Sequence, residues 1–76
     1  MKLSCGIEQE RLAIGFDDVR FIYIKGISYA PSQTFFVKNE DFYGRDDMSS
    51  EEKENALKAI EEFNTKNVWQ IALVDD

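Results

Sequence analysis

Apolar and polar positions alternate over the first quarter of the chain. Leu3, Cys5 and Ile7 occupy every second position, and Leu12, Ile14 and Phe16 do so again. A period of two turns one side of a segment to a core and the other to solvent, the pattern of a half-buried strand. Glu8-Gln9-Glu10 separates the two segments as a turn. Asp17-Asp18 then divides Phe16 from Val19 and predicts a hairpin, although Asp-Asp is a weaker hairpin signal than Asn-Gly.

Residues 19–25, VRFIYIK, set Val19, Phe21 and Tyr23 on one face and Ile22 and Ile24 on the other. Both faces are apolar, which places this strand centrally in a sheet or under a covering element. Gly26 permits a bend or bulge. In ISYAPSQ, Pro31 holds Ala30 extended and cannot donate to a ladder, so the stretch reads as an edge or a loop. FFVKN at 35–39 is a further short strand, and EDFYGRDDM follows as an acidic loop.

The pattern changes at Ser49. Ser49 and Glu52 have the spacing of a capping box. Ala56, Leu57, Ile60 and Phe63 then fall in one stripe at 100° per residue, with Glu51, Glu54, Lys58, Glu61 and Glu62 opposite. Asn64-Thr65-Lys66-Asn67 ends the helix with turn-tolerant residues. The last strand is VWQIALV, 68–74. Trp69, Ile71 and Leu73 share one face and Val68, Ala72 and Val74 the other, which points to an interior position; Asp75-Asp76 is a solvated end. The order is β-β-β-β-α-β. Only the helical connection is long enough for a parallel crossover. These elements predict one α+β domain over residues 1–76: a mainly antiparallel, twisted sheet of four to five strands with one amphipathic helix packed on one face.

The composition supports a packed core. Of 76 residues, 43% are hydrophobic, and six Phe, three Tyr and one Trp are among them, so global disorder is disfavoured. A chain this short buries only about 60% of its unfolded surface. Its single cysteine, Cys5, excludes an intramolecular disulfide and points to a reducing compartment. The stretch MKLSCGIEQE lacks the apolar run of a signal peptide, and FIYI at 21–24 is far too short to span a bilayer. The reading is a soluble cytoplasmic protein.

Most catalytic chemistry is missing from the residues themselves. There is no His, which removes His-dependent nucleophilic triads and the usual zinc sites. Cys5 has no basic residue near it in sequence but Lys2, so nothing points to a depressed thiol pKa. Gly6, Gly15, Gly26 and Gly44 are isolated, with no phosphate-binding loop among them. The carboxylate pairs 46–47, 51–52, 61–62 and 75–76 lie in polar surroundings where both members ionise, unlike catalytic pairs in a pocket that splits their pKa values. DFYGRDD lacks the acidic spacing and closing Glu of an EF-hand loop. No cofactor is called for, and the chain reads as a non-enzyme.

Charge is what remains. The net charge is −6, and residues 40–62 alone hold nine acids against three bases; the other residues hold six of each. This concentration argues against direct nucleic-acid binding, which needs clustered Lys and Arg. Two readings of the segment compete. Acids around the first turn favour the helix dipole, which accounts for Asp46, Asp47, Glu51 and Glu52, and Glu54 precedes Lys58 by four residues. Glu40 and Asp41 lie too far upstream for that role, and Glu61 and Glu62 sit where negative charge is unfavourable. Phe42 and Tyr43 are aromatics within this charged stretch, and aromatic anchors ringed by acids fit a basic protein partner. The candidate partner-binding residues are therefore Glu40, Asp41, Phe42, Tyr43, Asp46, Asp47, Glu51, Glu54, Glu61 and Glu62.

In length, acidity, strand content and one capped helix, the chain resembles several groups of small inhibitors: bacterial toxin-immunity proteins and phage anti-defence proteins, some of which imitate nucleic-acid charge. The likeness rests on no motif and carries over no residue. It implies an acidic protein that blocks the nucleic-acid site of a basic partner, such as a nuclease or a defence complex. Two alternatives stay open. One is a self-associating assembly module, in which strands apolar on both faces bury the second face against another copy. The other is a small-ligand or enzymatic domain using Tyr23, Tyr29 and carboxylates.

Overall fold

A strained two-residue turn begins the fold. The computed structural model describes residues 3–75; Lys2, the base nearest Cys5 in sequence, and Asp76, half of the expected solvated end, lie outside the described residues. Strand β1 (Ser4–Glu8) pairs antiparallel with β2 (Arg11–Gly15), with Glu8 opposite Arg11. The connecting residues Gln9 and Glu10 have φ of 48° and 60°. A tight hairpin that matches strand twist demands such left-handed values, and Asn or Gly would meet them with less strain. The second hairpin leads to β3 (Phe21–Lys25). Its turn is closed by Asp17, whose carboxylate accepts hydrogen bonds from the Val19 and Arg20 amides at 2.8 Å each.

At Gly26 the chain leaves this sheet. A Cβ at Gly26 would lie 2.4 Å from the Phe35 ring and 2.7 Å from the Phe36 carbonyl oxygen, so no other residue fits without displacing them. Strand β4 (Ile27–Tyr29) pairs antiparallel with β5 (Thr34–Lys38), joined by a 3₁₀ turn over Ala30–Ser32. Two helices follow, α1 (Asn39–Tyr43) and α2 (Ser50–Lys66), and β6 (Gln70–Val74) returns parallel to β5. The helical stretch is the long connection that a parallel pair requires.

The protein is α+β, but its strands form two sheets of three, ordered β1-β2-β3 and β4-β5-β6, in place of the single sheet of four to five strands expected. The cause is the Gly26 corner. Residues 27–29, read as an edge or a loop, form the edge strand that starts the second sheet. Two further corrections follow. β3 and β6 are edge strands and not interior ones; the apolar outward side chains of β3, Phe21 and Tyr23, are 47% and 46% exposed. Residues 39–43, expected as a strand end and loop, wind into α1.

Both sheets contribute to one core. Leu12, Ile14, Ile22 and Ile24 come from the first, and Phe35, Val37 and Ile71 from the second. Phe42, Met48, Ala56 and Ile60 close it from the helical side. Helix α2 packs against β1 and β6, the outer strands of the two sheets, and its small Ala56 and Ala59 are buried there. The open edge of β6 is covered by one side chain. The Asn64 amide donates to the Ile71 carbonyl at 3.0 Å and accepts from the Ile71 N–H at 2.7 Å, standing in for a neighbouring strand.

Gly26→Ala is expected to lower unfolding free energy by about 1–3 kcal/mol, the range for overpacking, in a urea titration. Asn64→Ala, which leaves both backbone groups of Ile71 without that partner, is expected to cost about 1–3 kcal/mol in the same assay, with local loss of amide-exchange protection at Ile71.

Candidate acidic interface

Helix α2 starts where the sequence places it. The Ser49 hydroxyl accepts from the Glu52 amide and the Glu52 carboxylate accepts from the Ser49 amide, each at 3.1 Å. The same carboxylate receives Arg20 from the second hairpin, 32 positions away: Nε at 2.7 Å and Nη2 at 3.2 Å. Arg20 also donates to the Asp47 carbonyl, and its guanidinium lies 5.9 Å from the centre of the Phe16 ring. One cation thus ties the β2–β3 turn to the helix entry. Sequence reasoning missed this role, because nothing local to Arg20 marks a partner so far along the chain.

Three of the nine acids between residues 40 and 62 are engaged within the molecule. Glu52 holds Arg20. Asp47 accepts a two-point contact from Arg45, Nε at 2.9 Å and Nη2 at 2.8 Å. Glu62 pairs with Lys66 at 2.8 Å. The Arg20 hydrogen bond, then the Ser49 amide, holds the Glu52 carboxyl below its usual pKa; the Arg45 hydrogen bond does this for Asp47, and Lys66 for Glu62. Asp17 is lowered as well, by the amides of Val19 and Arg20.

Among the described residues, Glu40, Asp41, Asp46, Glu51, Glu54 and Glu61 have no side-chain ion pair. Glu54 does not close on Lys58; the i,i+4 pair that forms is Glu62 with Lys66. Glu51, Glu54, Glu61 and Glu62 are exposed on the solvent side of α2. The structure gathers these four into one stripe. Glu40 and Asp46 are exposed on α1 and the turn after it. Asp41 is half-buried and borders a hollow that Arg11, Lys25 and Arg45 also line.

The two proposed aromatic anchors part company. Phe42 is 0% exposed and belongs to the core, which corrects its reading as a surface anchor: the turn of α1 that begins at Asn39 points it inward. Tyr43, against whose ring Phe42 packs edge-on at 4.8 Å, is 48% exposed. Lys53 donates to the Tyr43 carbonyl at 2.8 Å and holds this tyrosine beside the first turns of α2. Phe35 is buried, while Phe36 is half-buried 6.4 Å from the exposed Tyr29 ring.

Chemistry elsewhere is sparse. Burial pushes the Cys5 thiol up to about 12, so it is protonated and unreactive near neutral pH. Among the described residues, no three His, Cys, Asp or Glu side chains are placed to hold a metal, and no helix is long and apolar enough to cross a membrane. No protein-family model, curated protein or solved structure matches the chain.

The lowered carboxyls make a pH prediction. A carboxyl depressed in the folded state contributes stability above its unfolded pKa, about 4, and loses it as pH falls through the folded value. Glu52→Gln is therefore expected to melt below wild type at pH 7, with the gap closing on acidification below about pH 4. Circular-dichroism melts across that range check this. A gap of constant size would show that the Arg20 contact does not depend on the charge of Glu52.

Proposed function

We propose that the protein is a small non-catalytic binding protein that blocks a basic site on another macromolecule, of the phage anti-defence or toxin-immunity type. The site it covers is the nucleic-acid channel of a nuclease or a defence complex, met in the cytoplasm where that partner acts. One observation supports this above the others. Glu51, Glu54 and Glu61 share an exposed stripe of α2 and have no ion-pair partner among the described residues. The helix dipole and capping explain Glu51 and Glu52, and Lys66 explains Glu62, but none of these explains Glu54 and Glu61.

A predominantly acidic stripe on a helix, interrupted only by Lys58, raises the encounter rate with a basic groove and biases the register of docking. Tyr43 stands at the entry to the helix as the exposed aromatic that an otherwise polar interface uses as an anchor. Occlusion of this kind needs no cofactor and no bond-breaking step. The hydroxyl-bearing ring and the carboxylates meet cationic side chains that would otherwise contact phosphate.

The test is capture from lysate with the wild-type chain and with Glu51→Lys, Glu54→Lys, Glu61→Lys combined, followed by binding kinetics on the purified partner at two salt concentrations. The three sites are exposed, so the variant is expected to keep its circular-dichroism spectrum. Its association rate is expected to fall at least about tenfold at low salt, with the difference shrinking as salt screens the charges. Equal capture of a partner by both proteins would overturn the assignment to the acidic stripe.

A further inference from the structure

The outer face of the first sheet exposes the side chains of β3 and the ends of β1, with Ala13 and Gly15 of β2 buried between them, and its residue pattern is complementary to itself. Strand register sets it out in rows. Tyr23 lies opposite Ala13, which lies opposite Gly6. Phe21, Gly15 and Ser4 form the row on one side of these, and Lys25, Arg11 and Glu8 the row on the other. The β3 column is tall and apolar, with Phe21 and Tyr23 about half exposed. The β1 column beyond it is low. A Cβ at Gly6 would meet nothing within 4 Å, and a trough of about 430 Å³ runs over these small residues beneath the two rings.

We infer that this face binds a second copy of the chain, sheet against sheet, about a two-fold axis parallel to the strands. Such an axis at β2 lays β3 of each copy over β1 of the other. Tyr23 then enters the space above Gly6 of its partner, Phe21 covers Ser4, and Lys25 meets Glu8. Each contact occurs twice, as an isologous interface requires. Charge complementarity selects this occupant: Lys25 and Glu8 stand at opposite ends of one row, and neither has an ion-pair partner among the described residues. Asp41 and Arg45 border the Tyr23–Lys25 corner and keep it polar at the rim.

The face is small. Five residues by three strands span roughly 17 by 14 Å, which places the contact in the weak, concentration-dependent class. Arg11 falls on the axis against its own copy and limits the affinity further. Helix α2 packs on the other, core-facing side of this sheet, so the acidic stripes of the two copies stay apart. The inference rests on a different surface from the proposed inhibitory site, and either can fail without the other.

Sedimentation equilibrium tests it. The wild type is expected to move from monomer toward twice the monomer mass between about 10 µM and 1 mM. Glu8→Lys and Lys25→Glu, each of which sets like charges against one another in a homodimer, are expected to weaken self-association about tenfold. Mixed in equal amounts, the two variants restore both opposite-charge pairs and are expected to associate at least as well as wild type. Gly6→Leu fills the trough without touching the monomer core; it is expected to melt as wild type does and to stay monomeric. A wild type that remains monomeric at about 1 mM would overturn the inference. So would a mixture of the two charge variants that does not associate, or a Gly6→Leu variant that dimerises as wild type does.

Discussion

The close approach of Gly26 to the Phe35 ring is the constraint on which the architecture depends. One residue carries the chain from the end of the first sheet to the start of the second, and it does so where a Cβ would overlap the ring of a fully buried phenylalanine. That corner turns what would be one long strand into two short ones, β3 and β4. It leaves each sheet three strands wide and lets both inner faces share one core. With the sheets so joined on one side, the outer strands β1 and β6 stand at the opposite side of the core, and α2 bridges them. A short chain has little apolar surface to bury, and this arrangement lets Phe35, Phe42 and the isoleucines of both sheets serve the same cluster.

The polar contacts that hold this arrangement are few and do double service. Glu52 caps α2 and receives Arg20, so the signal that starts the helix also docks it on the β2–β3 turn. Asn64 lies near the other end of α2 and satisfies both backbone groups of Ile71 on the edge of β6. Arg45 donates to the Tyr23 carbonyl on the edge of β3 while it pairs with Asp47. The last two reach backbone groups of edge strands and so blunt edges that would otherwise be open to pairing.

Local signals were legible in the sequence and non-local ones were not. The alternation of Leu12, Ile14 and Phe16, the Asp17 turn and the Ser49–Glu52 box all depend on neighbours within a few positions, and each forms where it was expected. Gly26 reads as a generic bend, because the ring that makes it obligatory is nine positions on. Phe21 and Tyr23 read as a second buried face, because hydrophobicity states what a side chain prefers and not whether the fold supplies a cover. Phe42 and Tyr43 are adjacent aromatics in the same acidic stretch, and only the helical turn of α1 separates one as core from the other as surface. In the candidate site, the stripe on α2 followed from its period, whereas the place of Asp41 on a hollow shared with Arg11 and Lys25 required the tertiary arrangement.

The distribution of charge follows from this division. Between residues 40 and 62, the acids that the fold uses are those paired with a base or placed at the start of α2: Asp47, Glu51, Glu52 and Glu62. Stability alone gives no reason to keep Glu54 and Glu61 acidic, since Glu54 stands three residues from Glu51 and repels it, and Glu61 lies in the C-terminal half of the helix. A chain under selection for folding alone would gain by mixing Lys into that stripe, and Lys58 is the only base it contains. The cost is modest for each residue, but it falls on a helix whose other side carries the contacts between both sheets. Such a helix fixes the backbone positions from which its outward charges project, and a row dominated by one sign is useful to a surface that must meet an opposite one.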